Sequence, residues 1–269
     1  MNKALIDLDI VVYTVGSACD NWYYEYAGQE YESKKDLMLY LTDSSSDDVE
    51  RDIKASYAER KRKPESWDST KDSVIKYVED ILKGYPSYEG WLSGNSNFRY
   101  QAATILPYKG NRDSVSKPTH YDTIRQFLVD SYDAKISVGM EADDAIGLAH
   151  TPGETLIVTV DKDLDCIPGD HFNWQKDIKY TVSEVDANRH FFKQVLTGDP
   201  TDNILGLYGI GEKSAYVKRL KALEDTSDMN ELVLKEYIAR FGPRYGPQFL
   251  KETAALVWIL QKRECPLEV

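Results

Sequence analysis

The chain has few cysteines, no long apolar run and no excess of positive charge. Its three cysteines in 269 residues, Cys19, Cys166 and Cys265, are too few and too scattered for a disulfide framework or a zinc site. No apolar stretch approaches the roughly eighteen residues of a membrane span. Acids interrupt the apolar start MNKALIDLDIVVY, so we expect no signal peptide. These absences predict a cytoplasmic protein built as one large domain or as two unequal ones.

The net charge of −12 counts against a nucleic-acid partner when it is considered alone, because phosphate binding depends on local positive charge. The distribution along the chain matters more than the sum. Basic residues gather in ERKRK (59–63), in LPYKGNRDSVSKP (106–118) and after residue 212. We expect ERKRK to lie on a solvated helix face, and the other two groups are candidate phosphate contacts.

Short apolar segments alternate with amphipathic ones, which predicts an α/β fold with a mainly parallel sheet and helices on both faces. TLIVTV (155–160) has the clearest strand signal, because β-branched residues fill it. Residues 20–50 are acidic and weakly periodic, and predict an exposed excursion. The other predicted strands are 4–9, 89–93 and 134–138, with a pair formed by 171–174 and 179–182. The predicted helices are 49–63, 72–83, 118–132 with Pro118 first, 141–150, and 184–196 with Ser183 as N-cap.

Acidic residues stand where three of the predicted strands end. Because the carboxyl ends of parallel strands meet at one edge of a sheet, where ligands bind, we expect these acids to converge. The set consists of Asp7, then Glu141, Asp143 and Asp144, then Asp161 and Asp163, with Asp199 and Asp202 joining from a later segment. Any one group alone is more often a turn residue or a helix cap.

A cluster of carboxylates needs protons or cations. Two unit charges ~4 Å apart repel by about 4 kcal/mol at an effective dielectric near 20. Hard oxygen ligands indicate Mg²⁺ or Mn²⁺, and carboxylates from several segments indicate a pair of ions that act on a phosphate ester.

The basic loop 106–118 carries Lys109, Arg112 and Lys117 beside Tyr108. Lysine and arginine near a metal site can hold a phosphate and offset the charge of its transition state, and a tyrosine ring can stack on a base. On these residues alone, a solvated loop is an equal alternative.

The turn GLYGIGEK (206–213) lacks the spacing of a nucleotide P-loop and of a dinucleotide fingerprint. Gly209 and Gly211 would instead expose backbone N–H groups beside a helix N-terminus. With Lys213 nearby, the turn predicts a sequence-independent contact with a nucleic-acid backbone.

Five blocks, in this order, resemble the flap endonuclease and 5′–3′ exonuclease family, particularly its short bacteriophage members. They span residues 4–215, and the last is the most specific. The blocks are ALIDLD (4–9), PYKGNR (107–112), EADD (141–144), TVDKDL (159–164) and GDPTDNILGLYGIGEKSA (198–215).

This resemblance implies a PIN-like α/β domain over residues 1–197 and a helix–three-turn–helix DNA-binding region over 198–269, from which Asp199 and Asp202 reach the active site. It implies hydrolysis of DNA near a 5′ end, nick or flap, with an RNA–DNA hybrid as a further substrate. The expected cofactors are two Mg²⁺ or Mn²⁺ ions that activate a water, and a monovalent cation at the turn.

The resemblance also assigns roles by block. The first metal group would be Asp7, Glu141, Asp143 and Asp144, and the second Asp161, Asp163, Asp199 and Asp202. Lys109 and Arg112 match residues that engage the scissile phosphate and, with Asp161 and Asp163, form the expected catalytic set. Tyr108 and Lys117 would contact DNA beside them, and Gly209, Gly211 and Lys213 would anchor the DNA backbone.

Two departures from the family pattern stand out. The family has a further Asp shortly before a Phe-Arg pair, whereas WLSGNSNFR (91–99) has Ser93, Gly94 and Asn95 there, which predicts weaker or single-metal binding. Only 28 residues separate Arg112 from Glu141, so a helical arch that threads a 5′ end would be short.

Two other functions remain open at this stage. Asp7-Leu-Asp9-Ile-Val11 fits the opening motif of haloacid-dehalogenase phosphatases, but that interpretation leaves EADD, DKDLD, PYKGNR and GIGEK unexplained. The missing Asp near residue 93 motivates the second alternative, a non-catalytic, structure-specific DNA-binding protein. The other eight carboxylates count against it, because a pure binder gains nothing from negative charge at the DNA.

Overall fold

The computed structural model describes residues 3–112 and 116–267, which form two compact units. The first unit takes its residues from 1–10, 81–116 and 127–269, and the second takes 11–80 and 117–126. Within the described residues, no helix is long and apolar enough to cross a membrane.

The secondary structure alternates strands and helices through residue 197, as the sequence predicts. The strands are β1 (Lys3–Asp7), β2 (Trp22–Tyr26), β3 (Gln29–Tyr31), β4 (Glu59–Arg62), β5 (Tyr88–Leu92), β6 (Lys135–Ile136), β7 (Thr155–Val158), β8 (Gly169–Asn173), β9 (Ile178–Val182), β10 (Gly198–Asp199) and β11 (Ile204–Leu205). The helices are α1 (Asp9–Ala18), α2 (Lys34–Asp43), α3 (Asp48–Ser56), α4 (Trp67–Leu82), α5 (Arg99–Ala102), α6 (Tyr121–Tyr132), α7 (Ala142–Ala149), α8 (Glu184–Thr197), α9 (Ala215–Lys221) and α10 (Thr226–Val257).

The first unit contains a six-stranded sheet in the order β6-β5-β1-β7-β8-β9. All neighbouring strands pair in parallel except β8 and β9, which form an antiparallel hairpin. The predicted mainly parallel sheet and the predicted 171–174/179–182 pair are therefore confirmed.

The core of the first unit explains the apolar strands. All four residues of β7 are buried, and so are Ala4, Leu5 and Ile6 of β1. Parallel strands covered on both faces need such continuous apolar runs. The core continues into α8 through Phe191 and Phe192 and into α10 through Tyr237, whose hydroxyl donates to Val195 O (2.7 Å). These contacts place α8 and α10 against each other within this unit.

The second unit contains an antiparallel sheet in the order β3-β2-β4, together with α2 and α3. Most of residues 20–50 are exposed, as predicted, but the segment is ordered into β2, β3 and α2. Leu37 and Leu41 of α2 are buried, and Ser33 caps the helix by accepting from Asp36 N.

The predicted helix over 49–63 is wrong in its second half. α3 ends at Ser56, and ERKR (59–62) pairs with β2 as an edge strand. The alternation of side chains along a strand explains the change. Arg60 and Arg62 lie over the Trp22 ring (4.1 and 5.1 Å to its centroid), whereas Lys61 between them pairs with Glu25 (2.8 Å). These cross-strand contacts outweigh the intrinsic preference for helix.

Two smaller predictions need correction, and one stays untested. Pro118 precedes α6 and accepts at its carbonyl from Tyr121 N (3.0 Å), so the helix begins at Tyr121. The strand predicted at 134–138 is only Lys135–Ile136, both exposed at the end of the sheet. The domain boundary after residue 197 stays a prediction, since residues on both sides of it belong to the first unit.

Candidate metal and phosphate site

The ends of β1 and β5 are joined to the start of α7 by a chain of hydrogen bonds. Asp9 N donates to Asp7 Oδ1 (3.0 Å), and Ser93 N donates to Asp9 Oδ2 (2.9 Å). Ser93 Oγ in turn accepts from Ala142 N (2.9 Å). Ser93, which occupies the neighbourhood of the expected Asp, therefore fixes the helix that carries the acidic block.

The EADD block forms the first turn of α7. Glu141 is the N-cap, and its backbone N donates to Asp144 Oδ2 (3.0 Å), which closes a capping box. Asp143 points away from that box and is partly exposed. The three-residue spacing of Glu141 and Asp144 therefore serves the start of the helix.

Asp144 is the most enclosed acid of the cluster, and an arginine satisfies it. Arg99 Nη1 donates to Asp144 Oδ2 (2.6 Å) and Nη2 donates to Oδ1 (2.8 Å), in a bidentate pair whose side chains are 3% and 0% exposed. Leu260 N also donates to Oδ1 (2.9 Å). With four donors on its two oxygens, Asp144 does not match the metal ligand that the sequence predicts, whereas Arg99 was not singled out at all.

Four hydrogen bonds, which we call the clasp, join the PYKGNR loop to the DPTDN loop. Gly110–Arg112 forms a 3-10 turn, and Lys109 adopts a positive φ of 56°, which directs its backbone N–H toward the other loop. The bonds between the loops run from Lys109 N to Asp202 O (2.9 Å), Asn203 Nδ2 to Pro107 O (2.8 Å), Asn111 Nδ2 to Pro200 O (2.7 Å) and Arg112 Nε to Thr201 O (3.2 Å).

This clasp brings the predicted basic residues to the predicted acids. Lys109 Nζ pairs with Glu141 Oε1 and lies 3.6 Å from Asp202 Oδ2, and Arg112 Nη2 pairs with Asp202 Oδ1. Burial opposes protonation of Lys109, but Glu141 and Asp202 outweigh it and raise its pKa. Lys109 therefore stays charged at the acidic cluster.

Tyr108 lies between the same two acids. Its hydroxyl oxygen is 2.6 Å from Asp202 Oδ2 and 2.9 Å from Glu141 Oε2, so its one proton can be donated to either. Burial and then the two carboxylates raise the pKa of Tyr108 strongly. The ring is only 4% exposed, so the predicted stacking on a base is not supported, and a hydrogen-bonding role replaces it.

Five of the predicted acids have no lysine or arginine partner in the part of the chain that the structure describes. Desolvation, followed by Asp9 and Asp161, raises the pKa of Asp7 well above its usual range. Desolvation, followed by Asp7 and Asp161, does the same for Asp143. These acids are Asp7, Asp143, Asp161, Asp163 and Asp199.

Asp163 has a partner that sequence reasoning missed. Gln194 of α8 donates from Nε2 to Asp163 Oδ1 (2.8 Å), and its own carbonyl oxygen is buried without a protein partner. Desolvation, then Asp161, Asp199 and Asp202, raise the pKa of Asp163 to about 7. A glutamine in an ordinary amphipathic helix carries no sequence signal for such a role.

The carboxylate oxygens of this cluster are chemically suited to hard divalent cations. Mutually repelling carboxylates from β1, α7, the β7 end and β10 would be relieved by a cation. Across residues 3–112 and 116–267, however, no three acids, histidines or cysteines stand close enough to form a ready-made metal site. Side-chain movement of the five unpaired acids is therefore part of any metal binding.

The remaining predicted residues lie outside this cluster. Gly209, Gly211 and Lys213 are exposed in the turn before α9, and Tyr208 beside them is 98% exposed. Gly209 has a φ of 78°, a left-handed conformation that favours glycine. Lys117 belongs to the second unit, where it lies over the Tyr121 ring (4.1 Å), and residues 113–115 of the basic loop are outside the described chain.

Comparison with known proteins identifies relatives by sequence. DNA polymerase I of Caldicellulosiruptor bescii is 30% identical over 187 residues, which cover 59% of this chain and 21% of the polymerase. Flap endonuclease Xni of Shewanella sp. (strain W3-18-1) is 27% identical over 165 residues, which cover 55% of this chain and 63% of the relative. The predicted resemblance to the flap endonuclease and 5′–3′ exonuclease family is confirmed.

The chain spans less than two thirds of the length of these relatives, and no family model matches it. Among solved structures, T5 D15 protein co-crystallised with metal ions is 16% identical, with coverage of 96% of this chain and 98% of that one and a TM-score of 0.46. A complex of bacteriophage T5 D15 flap endonuclease with DNA and metal ions is 18% identical, with coverage of 69% and 90% and a TM-score of 0.41. Because both TM-scores are below 0.5, we take the fold from the chain's own strand order.

Proposed function

We propose that the chain is a divalent-metal-dependent 5′ nuclease that hydrolyses DNA near a 5′ end, nick or flap. The observation that carries this proposal is the clasp between the PYKGNR and DPTDN loops, which brings Lys109 and Arg112 to the acidic cluster. Cations and unpaired carboxylates at one pocket suit a phosphodiester, whose phosphate needs both metal and positive side chains. The flap endonucleases among the relatives support the same reaction.

The unpaired acids would hold the ions. Asp7, Asp143, Asp161, Asp163 and Asp199 offer hard oxygen donors, and Mg²⁺ or Mn²⁺ prefers such donors. When bound, two such ions would supply an activated water and stabilise the attacking and leaving oxygens. Gln194 holds Asp163 in place through its 2.8 Å hydrogen bond.

Lys109 and Arg112 would bind the scissile phosphate. In the cluster they pair with Glu141 and Asp202, so a phosphate must exchange with those carboxylates. Tyr108 lies between Glu141 and Asp202 and can donate its one proton to either carboxylate. Water adds to phosphorus as the P–O3′ bond breaks, and a proton from the water ends on the departing 3′ oxygen, which leaves a 5′-phosphate and a 3′-hydroxyl.

Residues 198–269 would supply the duplex contact. The turn from Tyr208 to Lys213 is exposed except at Ile210, and Ser214 caps α9 by accepting from Val217 N (3.3 Å). Exposed backbone N–H groups with a lysine suit a DNA phosphate without regard to sequence, and a monovalent cation at this turn is part of the proposal. The three free cysteines support a location in a reducing cytoplasm.

Cleavage of a 5′-labelled flap and a nicked duplex with Mg²⁺ or Mn²⁺ tests the proposal. Short 5′-labelled products that end in a 3′-hydroxyl are expected with either ion and none with EDTA. The double variant Asp161→Asn/Asp163→Asn should lose cleavage but keep DNA binding, while the exposed control Asp228→Asn should cut normally. A protein that binds the flap but never cuts it is the non-catalytic alternative. Phosphate release from p-nitrophenyl phosphate without DNA cleavage would favour the phosphatase.

A further inference from the structure

The end of α10 and the chain that follows it form part of the wall of the acidic pocket. Leu256, Val257 and Ile259 line the same small cavity as Glu141, Asp143, Asp163 and Asp199. Trp258 and Ile259 are 7% and 5% exposed, so this stretch is packed as firmly as the sheet core. We call residues 256–261 the C-terminal wall.

Arg99 holds the C-terminal wall to the acidic block. Its Nε donates to Leu256 O (2.9 Å), and its Nη2 donates to Trp258 O (2.6 Å) as well as to Asp144. Asp144 completes the link by accepting from Leu260 N (2.9 Å). One buried ion pair therefore binds the backbone of the wall at three positions.

Independent contacts fix the far side of the wall. A Cβ placed on Gly147 of α7 would lie 2.1 Å from Leu260 O, so only glycine permits this approach of helix and wall. Gln261 Nε2 donates to Cys166 O (3.1 Å), and the Trp258 ring packs edge-on against Phe191 (5.2 Å between centroids). The wall is thus built into the first unit along its whole length.

We propose that Asp144 and Arg99 are a positioning pair that holds the C-terminal wall against the pocket, and that Asp144 is not a metal ligand. This inference concerns the site of the proposed nuclease and rests on that function only for its activity readout. Asp144 is fully buried and its oxygens accept four hydrogen bonds, whereas the neighbouring Asp143 is partly exposed and forms no ion pair with a lysine or arginine among the described residues. The two adjacent aspartates therefore have different roles: Asp143 lines the pocket, and Asp144 bonds to the C-terminal wall.

A measurement of metal binding distinguishes the proposed roles of Asp143 and Asp144. Mn²⁺ binding is measured by electron paramagnetic resonance on Asp143→Asn, Asp144→Asn and Arg99→Gln. Asp143→Asn should weaken Mn²⁺ binding by at least about tenfold, since a unit charge near the ion is lost. Asp144→Asn and Arg99→Gln should each change it much less than Asp143→Asn does, because neither side chain would contact the ion. If Asp144 were a ligand, Asp144→Asn would weaken binding as much as Asp143→Asn, and Arg99→Gln would strengthen it by freeing the carboxylate.

The position of the wall is read from the ¹⁹F resonance of Trp258 in protein labelled with 5-fluorotryptophan, assigned with Trp258→Phe. Asp144→Asn and Arg99→Gln should shift this resonance and slow flap cleavage, whereas Asp143→Asn should slow cleavage without the shift. Gly147→Ala is a second probe, because it displaces Leu260 while leaving both charges in place. It should reproduce the shift with unchanged Mn²⁺ affinity.

Two results overturn the inference. One is loss of Mn²⁺ binding in Asp144→Asn equal to that in Asp143→Asn, and the other is a Trp258 resonance and a cleavage rate that Gly147→Ala leaves untouched. If Asp144→Asn does not fold, Mn²⁺ binding to Arg99→Gln decides whether Asp144 is a ligand, and Gly147→Ala decides the role of the wall. If no form of the protein cuts DNA, the proposed nuclease function fails, and the Mn²⁺ and ¹⁹F measurements still decide the role of Asp144.

Discussion

The segment from Gly198 to Lys213 has two halves with opposite surroundings. In the first half, Asp199 and Asp202 are half-buried, and the loop that carries them is bonded to PYKGNR. In the second half, Gly209, Gly211 and Lys213 are exposed and Tyr208 projects almost wholly into solvent. Acids that repel phosphate and a turn suited to phosphate can thus share one segment, because they face different surroundings.

Under the proposed function, this difference separates residues that act in cleavage from residues that bind DNA. The first half works where desolvation strengthens charge interactions, so its substitutions should change the rate of cleavage. The second half works in water, so its substitutions should change affinity and salt dependence. The predictions below test this division, from the largest expected effect to the smallest.

Asp163→Asn should give the largest loss. Removing one metal-binding carboxylate should cost about 4 kcal/mol of transition-state stabilisation, or roughly 10³-fold in kcat. DNA affinity should stay unchanged or rise, because a negative charge leaves the site. Single-turnover cleavage and fluorescence anisotropy measure the two quantities, with the exposed Asp228→Asn as control. Normal cleavage by Asp163→Asn would remove Asp163 from the metal set.

Lys109→Met should come next, with a loss of about 10²-fold in kcat, since it removes a cation placed to stabilise the phosphate. Methionine keeps the length and apolar stem of the side chain. Lys176→Met, on the exposed loop before β9, is the matched control. A drop in DNA affinity without a drop in kcat would place Lys109 with the binding half of the comparison instead.

Tyr108→Phe should lower kcat by about tenfold and leave DNA affinity unchanged. The lost hydroxyl leaves Glu141 and Asp202 without their shared donor, and a net hydrogen bond to a charged group is worth about 1.5–3 kcal/mol. The ring itself stays packed against Tyr100 (5.6 Å between centroids). If Tyr108→Phe cuts normally and Tyr108→Ala loses DNA affinity selectively, base stacking is restored as its role.

Lys213→Ala should have the smallest effect on the chemistry. Duplex affinity should fall modestly. The slope of log affinity against log salt concentration should fall in magnitude by about one, as expected for the loss of one phosphate contact. Cleavage at saturating DNA should be unchanged. Lys235→Ala on the exposed face of α10 is the control, and a salt slope equal in both variants would count against the turn as a DNA contact.

The sequence predicts the sheet and the acidic edge well because both depend on local signals. β-Branched runs mark β7, and acids at strand ends mark Asp7, Asp161 and Asp163. Parallel pairing brings such ends together whatever the loops do. The basic loop could be located for the same reason, since Lys109 and Arg112 are close to each other in sequence.

The sequence does not predict partners that are distant along the chain. Arg99 and Asp144 are 45 residues apart, and the wall that they hold lies more than 110 residues after Asp144. Gln194 and Ser93 carry no charge that would single them out. The ERKR strand is missed because its pairing with β2 is a tertiary effect, and the 3.6-residue pattern gives no account of Trp22 packing under Arg60 and Arg62.

The most direct test of the division between the two halves compares Asp199→Asn with Lys213→Ala in one set of measurements. Mn²⁺ affinity, duplex affinity and single-turnover cleavage are recorded for both variants. We predict a crossover: Asp199→Asn weakens Mn²⁺ binding and cleavage while duplex affinity is kept, and Lys213→Ala weakens duplex affinity while Mn²⁺ binding and saturated cleavage are kept. Parallel losses in all three quantities for both variants would contradict it.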